Sequence, residues 1–127
     1  MAITEKRAHG DWGEAQAAKF LEMRGYRIID TNYRTKRGEL DIVAWHEQKP
    51  GDTTLCFIEV KTRSHDDGSA ERATGREKQQ RLFRAATSYC LDHAIALDRT
   101  AIQFEQVSVY TKPDGQPQVR QYVIPVE

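Results

Sequence analysis

The stretch TLCFIEVKT (54–62) decides the fold. By the two-residue period of a strand, Leu55, Phe57, Glu59 and Lys61 share one face, and Cys56, Ile58 and Val60 share the other. Both faces are apolar over 55–58, so the segment reads as an interior strand covered on either side. Yet it ends with a carboxylate and an ammonium on one face. Charges at such a place need partners or a metal.

Outward from this strand, ELDIVAWH (39–46) reads as its predecessor, with Glu39, Asp41 and Val43 on one face and Leu40, Ile42 and Ala44 on the other. QKPGD (48–52) is loop chemistry between the two. Upstream, YRIIDTNYR (26–34) is a strand rich in β-formers. A helix over DWGEAQAAKFLEMR (11–24) precedes it, placing Ala17, Ala18, Phe20 and Leu21 on one side and ending at Gly25. Downstream, HDDGSAERA (65–73) is polar and expected to be mobile. Thr74-Gly75-Arg76-Glu77 has capping-box form, with Thr74 as N-cap. It opens a helix through about residue 93, with Leu82, Ala85, Ala86, Tyr89 and Cys90 as its core stripe.

The chain ends in AIQFEQVSVYT (101–111), a Pro-Asp-Gly turn at 113–115 and a strand over QVRQYVIPV (118–126). The alternation slips between Phe104 and Val107, which leaves a bulge or a strand buried on both faces. The order helix, three strands, helix, two strands predicts an α/β fold with helices covering a mixed sheet. A length of 127 residues suits one domain, 1–127.

Composition narrows the function classes. Nineteen Lys and Arg balance nineteen Asp and Glu, so no global charge advertises a polyanionic partner. Apolar residues are 39% and charged residues 30%, too apolar and too evenly charged for disorder. No run approaches the ~18 apolar residues of a membrane span. The opening MAITEKRAHGDW lacks the apolar block of an export signal. Cys56 and Cys90 each lie in an apolar-periodic segment and read as reduced, buried thiols, neither a disulfide framework nor a zinc site. A soluble cytoplasmic protein is expected. The four histidines match no metal-ligand spacing, and Trp12 and Trp45 read as packing groups.

Net zero hides a pattern. Residues 24–37 carry Arg24, Arg27, Arg34, Lys36 and Arg37 against Asp30, and residues 72–84 carry Arg72, Arg76, Lys78, Arg81 and Arg84 against Glu77. Between them, residues 38–60 carry Glu39, Asp41, Glu47, Asp52 and Glu59 against Lys49. Such runs are solvated surface, or phosphate-contacting flanks around an acidic centre.

A third acid joins Asp41 and Glu59. At 100° per residue Glu14 falls between Leu21 and Ala18, inside the apolar stripe of the first helix. Asp11-x-x-Glu14 is alternatively a capping-box variant, and the side chain cannot serve both roles. Two carboxylates ~5 Å apart at an effective dielectric of ~20 repel by about 3 kcal/mol. Protonation or a hard divalent cation relieves that repulsion, and oxygen ligands without His or Cys favour Mg²⁺ or Mn²⁺. With Lys61 beside it, such a metal suits phosphodiester hydrolysis.

The set Gly13-Glu14, Gly25-Tyr26-Arg27-Ile28, Asn32-Tyr33-Arg34, Arg37-Gly38-Glu39-Leu40-Asp41-Ile42-Val43 and Phe57-Ile58-Glu59-Val60-Lys61-Thr62-Arg63 resembles the YraN family. These bacterial proteins are similar to Holliday-junction resolvases of the PD-(D/E)xK nuclease superfamily, and the resemblance spans about residues 10–110. It implies a restriction-endonuclease-like αβββαβ core, about 10–126, with nucleic acid as partner, DNA expected ahead of RNA. Asp41 and Glu59 would be principal Mg²⁺ or Mn²⁺ ligands, Lys61 the catalytic lysine and Glu14 an additional acid. Arg34, Arg37, Arg63, Lys78 and Gln79 would contact nucleic acid. Resolvases act as two-fold dimers, so a homodimer is a further expectation. Two departures stand out: Leu40 replaces the superfamily's Pro before Asp41, and Glu105 lies one residue out of register with the family's late-strand acid. The alternative is a non-catalytic module that holds nucleic acid or a protein on the same scaffold.

Overall fold

The computed structural model describes residues 5–64 and 75–126. Helix α1 (Glu5–Met23) is followed by three strands, β1 (Tyr26–Thr35), β2 (Gly38–Lys49) and β3 (Asp52–Arg63). Helix α2 (Arg76–Asp92) and a short 3-10 turn lead to β4 (Ala101–Thr111) and β5 (Pro117–Ile124). The five strands form one sheet in sequence order. All neighbours are antiparallel except β3 and β4, which run parallel in unbroken register from Thr54↔Ala101 to Arg63↔Tyr110. This is the αβββαβ order with a C-terminal strand that the sequence predicts.

The helices cover opposite faces of the sheet. On one face Leu55, Phe57 and Phe104 pack under Leu82, Ala85, Ala86, Tyr89 and Cys90 of α2, the whole predicted stripe. On the other, Ile42, Cys56, Ile58, Val107 and Val109 pack under Ala17 and Leu21 of α1. Strand β4 is buried without a break from Phe104 to Val109, with no register shift against either neighbour, so both its faces are covered. Both cysteines are buried and free. No described helix is long and apolar enough to cross a membrane.

Three local expectations change. Helix α1 begins at Glu5, so Glu14 lies in its third turn and cannot be part of an N-terminal capping box. The N-cap of α2 is Gly75, in an extended conformation with no side-chain cap; Thr74, the expected cap, lies outside the described residues, as does the polar stretch 65–73. On β2, Leu40 joins the same core as Val43, while Ile42 and Ala44 face α1. The simple alternation therefore breaks between Leu40 and Ile42, at Asp41.

Candidate active site

The break at Asp41 builds the site. Pairing of β2 with β3 runs as far as Ile42↔Ile58 and stops. Beyond it, the Val60 N–H donates to Asp41 Oδ2 at 2.8 Å, so a side chain takes the place of a ladder carbonyl. The strands part here, and the carboxylate is held in the gap by the backbone of β3. Glu59 and Lys61 follow the regular alternation of β3, on the face of Phe57. Their side chains form an ion pair, Lys61 Nζ to Glu59 Oε1 at 2.8 Å, with 14% and 16% of the side chains exposed.

Helix α1 approaches from the other side. A Cβ on Gly13 would lie 1.9 Å from Thr62 Oγ1, so only glycine allows the helix to sit this close to β3. That contact brings the neighbouring Glu14 to the parted strands.

Two cavities open around this centre. The larger, about 690 Å³, lies on the α2 side and includes Arg34, Arg37, Glu59, Lys61, Lys78 and Arg81 in its lining. The smaller, about 590 Å³, lies on the α1 side and includes Glu14, Arg34, Asp41, Lys61 and Arg63. Arg34 and Lys61 line both. Asp41 therefore lies in the lining of the α1-side cavity, not of the one that Glu59 lines, as strict alternation from Val43 would have it. Gln79 lies apart, in a third cavity with Arg76, Gln80, Phe83 and Pro125.

The electrostatics are those of crowded acids. Burial pushes the Asp41 carboxyl up to about 7; the Val60 hydrogen bond opposes this, and the charges of Glu14, Glu59 and Glu39 add to it. Burial also raises Glu14, helped by Asp11 and Glu39 and opposed by Arg34. Burial alone would lower Lys61, yet its bonds to Glu59 and Lys78 and the charges of Glu59 and Asp41 hold it above its ordinary value. Lys78 is lowered, first by its bond to Lys61, then by burial and the Lys61 charge.

Among the described residues, no three His, Cys, Asp or Glu side chains converge as a ready-made metal cage. The donor chemistry still fits a hard divalent cation. Mg²⁺ is commonly bound through one or two carboxylates, with waters and substrate phosphate completing its shell. Glu59 Oε2 is buried without a hydrogen-bond partner among the described residues, and the negative charges that raise the Asp41 carboxyl are ones a cation would offset.

Residues 13–109 match the uncharacterised protein family UPF0102. The chain belongs to this family. A UPF0102 protein from Anaeromyxobacter dehalogenans is 42% identical over 118 residues, covering 92% of this chain and 82% of the relative. One from Syntrophus aciditrophicus is 39% identical over 114 residues, covering 89% and 84%. This is the YraN-type family that the sequence resembles. The matched span contains Glu14, Asp41, Glu59, Lys61, Arg81 and Arg84 of this UPF0102 chain.

Arg81 and Arg84 belong to the basic segment 72–84 that the sequence marks as a candidate phosphate-contacting flank. With Lys78 they recur every three residues, which lays three cations along one side of a helix.

Proposed function

We propose that this protein is a Mg²⁺- or Mn²⁺-dependent nuclease that hydrolyses phosphodiester bonds of DNA, with branched or otherwise structured DNA as substrate. One observation carries the reading: Asp41 is fixed by the N–H of Val60, the residue between the two members of a half-buried Glu59–Lys61 ion pair, where two strands part.

Asp41 and Glu59 would hold the cation, with Glu14, which lines the same cavity as Asp41, as an additional carboxylate ligand. When bound, such an ion supplies Lewis acidity and an acidified water. The rest falls to the chain itself. Asp41 is kept in one orientation by the backbone, so its carboxylate needs no reorganisation. Lys61 remains an ammonium at neutral pH and would donate to a phosphoryl oxygen as charge builds there. Arg34, shared by both cavities, would hold the neighbouring phosphate. Free, buried Cys56 and Cys90 suit a reducing cytoplasm.

The second reading is a module that binds DNA without cleaving it. In its favour, Lys61 already neutralises Glu59 at 2.8 Å, so part of the acidic charge is answered without a metal. Cleavage of labelled DNA in Mn²⁺ separates the two readings: the nuclease cleaves and loses this activity on Asp41→Asn, while the module binds unchanged in EDTA.

A further inference from the structure

The sheet has two edges, and they differ. Strand β1 carries Arg27, Asp30 and Arg34. Its pairing with β2 jumps between Ile28 and Asp30, which leaves Ile29 as a bulge, and Asn32 is left-handed with φ 54°. Charges and bulges of this kind keep an edge from accepting a further strand. Strand β5 has Arg120 as its one charged residue and no bulge, since it pairs with β4 without a break from Phe104↔Ile124 to Thr111↔Pro117. Among the described residues no strand lies beyond it. Its middle is tied to the core, where Gln121 donates to Tyr26 Oη at 2.8 Å and to buried Glu105. Two residues on and on the same face, Val123 is 55% exposed. A regular edge with an apolar side chain in water is a template for another strand.

The residues of β5 complement themselves. A two-fold axis normal to the sheet sets two copies of β5 antiparallel, each side chain facing one on the same side of the sheet. An axis through Arg120 or through Gln121 pairs nearly the whole strand; any other pairs less. At Arg120 it would bring two guanidinium groups face to face, which is unfavourable, and would set Val123 against Pro117, which has no N–H to pair. At Gln121 it sets Val119 against Val123 of the second copy on the α1 face, and Arg120 against Tyr122 of the second copy on the α2 face. The exposed valine then meets an apolar partner, the cation meets an aromatic ring, and no like charges are opposed.

We propose that a second copy of this chain adds to β5 about a two-fold axis at Gln121, joining two five-stranded sheets into one. No β5 residue lines either cavity around Asp41, Glu59 and Lys61, so the dimer leaves both candidate sites open and is independent of the nuclease reading. Sedimentation equilibrium of the full chain, without DNA or metal, should show monomer and dimer exchanging with a micromolar dissociation constant, as suits a small interface. Val123→Lys puts an ammonium on the edge and should weaken the dimer at least about tenfold, with circular dichroism unchanged; Val123→Ile should keep it. The register has its own test. Val119→Cys with Val123→Cys places thiols of the two copies directly opposite, with Cβ atoms ~5 Å apart, so mild oxidation should give a covalent dimer. Either substitution alone should not, and the native cysteines are buried. A monomeric mass throughout the micromolar range, a dimer that Val123→Lys does not weaken, or failure of the double cysteine variant to cross-link more than the single ones overturns the proposal.

Discussion

Gly13 of α1 rests directly on Thr62 of β3, with 1.9 Å between its missing Cβ and the Thr62 hydroxyl oxygen. Gly13→Ala must push the helix off the sheet or displace Thr62. Overpacking of this kind costs about 1–3 kcal/mol, and it withdraws Glu14 from Asp41. Urea denaturation should show the loss of stability, and Thr62→Gly in the same chain should restore most of it. An undiminished midpoint in Gly13→Ala would mean that the helix yields freely.

Asp41 gives the metal-free protein a pH signature. Its folded carboxyl titrates at about 7 against an ordinary 3.8, so between these values the folded state holds a proton that the unfolded chain has released. Stability is therefore highest, as far as this group is concerned, below about pH 4, and falls as pH rises toward about 7, by an amount on the order of a few kcal/mol. Asp41→Asn should flatten that slope in denaturation curves taken across the range. Saturating Mg²⁺ should flatten it too, by favouring the carboxylate.

Glu105 is fully buried, accepting from Tyr26 Oη at 2.8 Å and Gln103 Nε2 at 3.1 Å, and also from Gln121. It lines none of the three cavities around the site and α2. Tyr26→Phe removes one donor from a buried carboxylate and should cost about 1–3 kcal/mol. Thermal unfolding should record this loss, while any cleavage rate measured well below the melting point should stay as it was.

Lys61→Met tests the ammonium itself. Removing one donor to developing charge typically costs about a hundredfold or more in rate. Single-turnover cleavage should fall by at least that factor while DNA binding in EDTA falls little. A proportional loss of both would make Lys61 a binding group only.

Much of this was legible in the chain. The apolar pair of faces at Leu55–Ile58 marked the interior strand, and the stripe from Leu82 to Cys90 was recovered residue for residue. Glu14 stood out because a carboxylate in an apolar stripe costs desolvation. The start of α1 lies ahead of residue 11, where the sequence places it, because residues 5–10 are polar and carry no periodic signal. The break in alternation at Asp41 carries no sequence signal: period two assumes an unbroken ladder, and the β2–β3 ladder stops where a side chain replaces a carbonyl. Glu105 looked like a register slip of a site acid because sequence alone could not show Tyr26 and Gln121 arriving from distant strands.

The most direct test is cleavage, in Mn²⁺, of a labelled panel of duplex, single strand, flap and four-way junction by the wild-type chain and Asp41→Asn prepared side by side. The expected result is cleavage of the members carrying branches or unpaired strand, abolished by Asp41→Asn while its fold persists by circular dichroism. No cleavage of any member by the wild type with metal present, or equal cleavage by both proteins, would contradict the assignment of Asp41, Glu59 and Lys61 as a hydrolytic centre.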